Sequence, residues 1–254
     1  MAKRILVCGL PGSGKTKFAI ELAARLNAAH VNGDAVREAA NNWDFTLEGR
    51  IEQAHRMRAV ADTNTGLVVS DFVAPTPEVR AIFDADLTVF MNTRAESQYA
   101  DTNEMFVPPE NADYVTERWV ENEEMDHVAE AIRFMIPQGL MIGRFQPWHA
   151  GHEALFDKIL EKEGYVGIGV RFMPNGPDNP LDGTAVTRRI EEALQNRRIE
   201  EALQNRRGTY HVFPMPNVSG VYYGRDVGYN VEQIRLTEEI ESISATAIRK
   251  RGDI

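Results

Sequence analysis

Two stretches of this chain carry side chains suited to phosphate chemistry. The first is Gly9-Leu10-Pro11-Gly12-Ser13-Gly14-Lys15-Thr16. Its glycines let backbone N–H groups wrap an anion, its lysine can reach the β- and γ-phosphates of a nucleotide, and its threonine hydroxyl can ligate magnesium. The second is Gly143-Arg144-Phe145-Gln146-Pro147-Trp148-His149-Ala150-Gly151-His152, with two histidines three apart where an amphipathic stretch, Ala154 to Glu161, begins. Histidines at i and i+3 share a helix face. The first helical turn also offers unpaired N–H groups and positive potential to a phosphate. Taken alone, a His-x-x-His pair is equally compatible with a metal site or a plain surface pair. Far along the chain, Ile243-Ser244-Ala245-Thr246-Ala247-Ile248-Arg249 opens a last helix with two hydroxyls and a guanidinium.

The elements that must position these groups alternate. Lys3 to Cys8 reads as a buried strand and Lys15 to about Asn27 as a helix, so G-x-x-x-x-G-K-[ST] lies in its strand–loop–helix context and marks a nucleotide site. Ala29 to Asp34 reads as a second strand ending in a carboxylate, Gly66 to Phe72 as a third and Leu87 to Met91 as a fourth, with helical patterns between them. Such alternation predicts a parallel sheet covered on both faces. Ligands of such sheets sit at the carboxyl ends of the strands, which gathers Gly9–Thr16, Asp34 and Asp71 around one crevice. Thr93 to Trp119, polar and proline-bearing, reads as a mobile flap or acceptor loop at the sheet's edge, and Glu121 to Phe134 as a closing helix. Met135-Ile136-Pro137-Gln138-Gly139 breaks the pattern. A second alternation follows: strand 139–143, helix 150–162, strand 166–170, a polar loop at 173–182, a helix, and a strand at 209–213. The fold class expected is α/β, with two three-layer parallel-sheet domains at residues 1–136 and 139–254.

Composition sets limits. The chain has 254 residues, 43% hydrophobic and 26% charged, which suits folded domains. A formal net charge of -10 argues against a broad nucleic-acid-binding face. No apolar run of about 18 residues predicts a membrane span, and no signal peptide is recognisable. The single cysteine, Cys8, cannot form an internal disulfide, so a cytoplasmic setting is expected. The expected partners are small-molecule nucleotides, with neither nucleic acid nor membrane. A homo-oligomer is compatible with the sequence.

The first half resembles adenylylsulfate kinase over about residues 3–120. The residues that carry the resemblance are the glycine loop, then Asn32-Gly33-Asp34-Ala35-Val36-Arg37, then Asp44-Phe45-Thr46 with Arg50-Ile51-Glu52. That family moves the ATP γ-phosphate to the 3'-hydroxyl of adenosine 5'-phosphosulfate. The resemblance implies ATP contacts at Gly9, Gly12, Ser13, Gly14, Lys15 and Thr16, with Lys15 catalytic. It implies Asp34 as the carboxylate near the accepting hydroxyl, Mg2+ on Thr16 and Asp34, and Arg37 and Arg50 on the acceptor's phosphosulfate. Asn32-Gly33-Asp34-Ala35 stands where the family usually has Asp-Gly-Asp-Asn, and Phe106 to Asn111 only faintly echoes its later acceptor segment.

The second half, over about 139–251, resembles the H-x-G-H nucleotidyltransferases, a Rossmann-like family. It is most similar to nicotinamide-mononucleotide adenylyltransferases, through G-R-F-Q-P-W-H-A-G-H and I-S-A-T-A-I-R. The resemblance implies attack by an acceptor phosphate on the α-phosphorus of ATP with release of pyrophosphate. His149 and His152 would contact phosphates as the catalytic pair. Gly143, Arg144 and Phe145 would belong to the ATP site, and Ser244, Thr246 and Arg249 would hold the β- and γ-phosphates. Arg171, which departs from the family, would add a cation where the acceptor binds, and Tyr222, Tyr223 and Arg225 are candidates to recognise it.

These readings combine into a bifunctional enzyme, a kinase followed by a nucleotidyltransferase, using ATP and Mg2+, with CTP open for the second centre. Nicotinamide riboside kinase joined to an adenylyltransferase, as in NAD salvage, is an alternative, and a non-catalytic nucleotide sensor is another. Residues 189–197, R-I-E-E-A-L-Q-N-R, recur unchanged at 198–206. At about 100° per residue, nine residues turn a helix by half a circle, so Ile190 and Leu194 would face away from Ile199 and Leu203. The repeat therefore reads as a duplication lengthening a surface helix, with one copy exposed or looped out.

Overall fold

The computed structural model describes residues 2–200, 208–222, 228 and 230–251. The chain divides into two compact units, Met1–Pro137 with Asn205–Thr209, and Gln138–Gln204 with Tyr210–Ile254.

In the first unit β1 (Ala2–Cys8), β2 (Ala29–Asn32), β3 (Gly66–Asp71), β4 (Leu87–Met91) and β5 (Tyr114–Thr116) form a parallel sheet in the order β2-β3-β1-β4-β5. The central strands are almost wholly buried, as expected of a parallel sheet covered on both faces. On one face Leu6, Cys8, Val68 and Phe90 pack against Ala54, Met57 and Ala61 of α3 (Leu47–Asp62) and Val79 and Phe83 of α4 (Pro77–Phe83). Helices α1 (Lys15–Leu26) and α6 (Met125–Met135) pack on each other, and α1 packs on β1 and β3, supplying the third layer. Caps set the helix starts. Asn32 accepts the Ala35 N–H at α2 (Gly33–Ala39), Thr46 the Gly49 N–H at α3, and Thr76 the Val79 N–H at α4.

Two expectations need correction. The strand carrying Asp34 ends at Asn32, because Asn32 caps a helix there, and Asp34 lies exposed in the first turn of α2. The stretch from Thr93 to Trp119 is not one flap. It forms α5 (Ala100–Met105) and then β5, whose residues Tyr114–Thr116 pair with Val89–Met91.

In the second unit β6 (Gly139–Gly143), β7 (Val166–Arg171) and β8 (Tyr210–Met215) form a parallel sheet in that order, linked through α7 (Ala150–Glu163) and α8 (Gly183–Glu200). Both helices lie on one face. Met141, Ile168 and Val170 meet Phe156 and Ile159 of α7 and Val186, Ile190 and Leu194 of α8. The described residues of this unit thus give two layers, not the three expected. Successive crossovers that step the same way across a sheet share a hand, and so share a face. On the other face Leu140 and Ile142 stay exposed, while Phe213 and Met215 close over Gly167 and Gly169. After β8 come the short helices α9 (Glu238–Glu241) and α10 (Ala245–Arg251). In the repeat, the first copy's Ile190 and Leu194 are core residues. Residues 201–206 of the second copy, with Tyr223 and Arg225, lie outside the described residues. No helix among the described residues is long and apolar enough to cross a membrane.

Candidate functional site

The phosphate loop follows β1. Gly9, Gly12 and Gly14 all have positive φ (144°, 78° and 89°), which side chains rarely tolerate, and they curl the loop around the start of α1. A Cβ on Gly9 would lie 2.6 Å from the Met91 carbonyl oxygen, and one on Gly14 would lie 2.9 Å from the Trp119 ring. The Lys15 ammonium is buried and donates to the Leu10 carbonyl at 2.9 Å. Burial pushes its pKa down, opposed by the charges of Asp71, Cys8 and Asp34. Ser13 is wholly buried, and its hydroxyl oxygen has no hydrogen-bond partner in the protein.

The Thr16 hydroxyl donates to Asp71 Oδ2 at 2.6 Å. Asp71 ends β3, is 2% exposed, and also accepts from Asn32 Nδ2 (3.1 and 3.3 Å) and His30 Nε2 (2.7 Å). A hydroxyl and a carboxylate with oxygens this close fit a small hard cation such as Mg2+, which takes oxygen ligands. The carboxylate Thr16 reaches is therefore Asp71, which sequence reasoning placed near the crevice without giving it a role. Asp34 lies close enough to Lys15 and Arg37 for its charge to favour both cations.

Arg37 and Arg50 are buried and already braced. Arg37 donates to the carbonyls of Asn42 (3.3 Å) and Asp44 (2.8 Å), and Arg50 to the Phe45 carbonyl (2.9 Å) and the Thr102 hydroxyl (2.7 Å). Both guanidiniums lie over the Phe45 ring, at 4.7 and 5.6 Å from its centroid. Burial lowers the pKa of each, and Arg37 is lowered further by its neighbours Arg50 and Arg56. Arg50 also lies 3.8 Å from the Asp101 carboxylate, and the two arginines hold the 42–45 loop in place.

Beside the phosphate loop opens a cavity of about 270 Å³ lined by Gly14, Lys17, Phe18, Trp119, Asn122 and Met125, among others. Trp119 and Arg94, whose guanidinium packs beside Gly12, carry no local signature in the sequence. Cys8 is buried, which raises its thiol pKa to about 11 and keeps it inert.

In the second unit His149 is the N-cap of α7, outside the helix, and His152 lies in its first turn. The shared helix face expected for the pair becomes a stack, with ring centroids 3.8 Å apart. His149 Nδ1 accepts the Gly151 N–H (3.1 Å), and His152 Nδ1 accepts the His149 N–H (3.3 Å). A Cβ on Gly151 would lie 2.9 Å from the His149 ring, which is why this spacing needs glycine there. Because each Nδ1 is an acceptor, each neutral ring carries its proton on Nε2. Both histidines therefore offer Nε2–H donors, which suits phosphate oxygens and disfavours a metal. Burial lowers both pKa values. His152 falls to about 3, with His149 as a second cause, so both rings are neutral near pH 7.

The fold brings the distant Ile243–Arg249 segment onto this turn. Arg249 is 11% exposed and donates to the Gln146 carbonyl (2.7 Å), to Asp178 (3.3 Å) and to the Thr246 hydroxyl (3.2 Å). Gln146 in turn exchanges two hydrogen bonds with the Leu181 backbone. Gln146 lies within the histidine motif without a role legible in the sequence, and Asp178 carries no local signature. Ser244 caps the last helix, accepting the Ala247 N–H. Gly143 packs under the buried Phe145 ring, and Arg144 is exposed. Arg171 donates to Asn217 Oδ1 (2.8 Å) and the Val218 carbonyl (2.9 Å).

Comparison with known proteins bears on the first unit. An AAA domain family model matches residues 5–86. Similar solved structures include that of APE1195, at 21% identity over 53% of this chain and 94% of its own, with a TM-score of 0.42. An APS kinase from Mycobacterium tuberculosis aligns at 24% identity over 53% of this chain and 96% of its own, with a TM-score of 0.39. A gluconokinase from Sinorhizobium meliloti 1021 aligns at 17% identity over 50% and 89%, with a TM-score of 0.38. A search of the curated proteins returned no match to this chain.

Proposed function

We propose that the chain is a cytoplasmic enzyme with two ATP-dependent centres, a phosphotransferase in the first unit and a nucleotidyltransferase in the second. The observation that carries the first is the Thr16–Asp71 pair at the root of a phosphate loop with a buried lysine. Loop N–H groups cradle the triphosphate, and Lys15 exchanges the Leu10 carbonyl for phosphate oxygens. Thr16 and Asp71 would hold Mg2+, which supplies charge neutralisation on the triphosphate when bound. Asp34 orients the accepting hydroxyl. The half-exposed Phe45 ring, with two guanidiniums over it, suits an acceptor with a planar ring and an anionic group, which favours adenosine 5'-phosphosulfate.

In the second unit, what supports the reading is Arg249 anchored on the histidine-bearing turn. An acceptor phosphate oxygen attacks the α-phosphorus of ATP, and the bond to the β-phosphate oxygen breaks. His149 and His152 donate from Nε2 to the charge that develops, and Arg249 and Thr246 retain the departing pyrophosphate.

The test incubates the protein with ATP, Mg2+ and, in turn, adenosine 5'-phosphosulfate, nicotinamide riboside and nicotinamide mononucleotide, and measures ADP and pyrophosphate separately. ADP is expected with adenosine 5'-phosphosulfate, and pyrophosphate with a phosphorylated acceptor. Absence of both products with every acceptor would refute the enzyme reading in favour of a nucleotide sensor.

A further inference from the structure

Asp71 is held by more than its partner in the phosphate loop. Strands β2 and β3 pair so that Asn32 stands opposite Asp71 and His30 opposite Val69. Residues two apart on a strand share a face, so His30 and Asn32 both present their side chains to the Asp71 carboxylate. The three contacts differ in kind. Thr16 touches only Oδ2, His30 touches only Oδ1 at 2.7 Å, and the Asn32 amide straddles both oxygens at 3.1 and 3.3 Å. An amide that straddles a carboxylate does not decide which way it turns. His30 does, because its bond to Oδ1 leaves Oδ2 facing Thr16. A carboxylate can only accept, so His30 Nε2 carries the hydrogen. The imidazole is only 24% exposed and is fixed on a strand, so it is a stiff support.

We propose that His30 is a positioning residue that fixes the rotation of Asp71 and thereby sets the affinity of the kinase centre for a divalent cation. This rests on the kinase reading above. Groups that orient a metal's carboxylate ligand typically change metal affinity 10- to 100-fold when removed. His30 itself touches neither nucleotide nor acceptor in this account, so Mg2+-free nucleotide binding is left unchanged.

The experiment titrates ATP into the whole protein by calorimetry, with EDTA and across a magnesium series, for wild type, His30→Leu and His30→Gln. His30→Leu is expected to raise the magnesium concentration at half-effect about 10-fold or more, while ATP affinity in EDTA stays at the wild-type value. His30→Gln keeps an N–H donor at a similar reach and is expected to recover most of the loss. An unchanged magnesium midpoint in His30→Leu would overturn the inference. So would an equal loss of ATP affinity in EDTA, which marks a merely structural role, or a Gln variant no better than Leu. If wild type itself binds ATP no more tightly with magnesium than without, the kinase reading falls and takes this inference with it.

Discussion

Acidification should destabilise the second unit through one ring. His152 lies among Phe145, Trp148 and His149, at centroid distances of 5.0, 5.3 and 3.8 Å. Its Nδ1 faces a backbone N–H, so a second proton would meet a donor instead of an acceptor. Its pKa falls from 6.5 to about 3 in the folded chain. The sign follows directly: between those values the unfolded chain binds the proton and the native chain does not. Stability is therefore complete above about pH 6.5 and is lost as pH falls toward 3, by up to about 1.4 kcal/mol per pH unit. Between pH 6.5 and 4.5 the loss from this group is about 2 kcal/mol. Trp148 provides the probe, in a chain with Trp43 and Trp119 replaced by Phe. Urea unfolding of that chain is compared with the same chain carrying His152→Asn, so that titrating groups outside the stacked His149–His152 pair cancel to first order. The stability difference between the two is predicted to shift by about 2 kcal/mol over the interval. Parallel pH profiles, or a His152 ring that titrates near 6.5 by NMR, would refute the reasoning.

Asp71→Asn removes the charge facing Thr16 and is expected to lower ADP formation on the order of 100-fold while pyrophosphate release is kept; assays of the two products check this. Gly151→Ala places a Cβ against the His149 ring. Displacing that ring is expected to lower pyrophosphate release on the order of 100-fold with ADP formation unaffected. Arg50→Lys cannot hold both the Phe45 carbonyl and Thr102, and a loss of about 1–3 kcal/mol is expected in urea unfolding of the first unit. Deleting 198–206 retains the core residues Ile190 and Leu194, and the melting temperature should move by less than about 2 °C. A large drop would give the second repeat copy a structural role.

Local chemistry made much of both centres legible. The glycine loop announces itself because its conformation demands glycines in order, and H-x-G-H does so because Gly151 makes room for a stacked histidine. What stayed hidden depends on partners far apart in the chain. The strand end places Asp71 at the crevice, but its role shows only where Thr16, Asn32 and His30 converge on it. Gln146 matters only because its carbonyl receives Arg249. The resemblance implied Arg37 and Arg50 as acceptor ligands, yet both spend donors on the protein itself, since a buried guanidinium has five to satisfy. In the second half, alternation indicated a parallel sheet, but strand order, which decides which faces are covered, has no signature in periodicity.

Separating the two products tests the central claim most directly. With ATP, Mg2+ and competent acceptors, Lys15→Ala is predicted to abolish ADP formation and leave pyrophosphate release intact, and His152→Ala to do the reverse. If either substitution removed both products, or neither, the account of two independent centres would be contradicted.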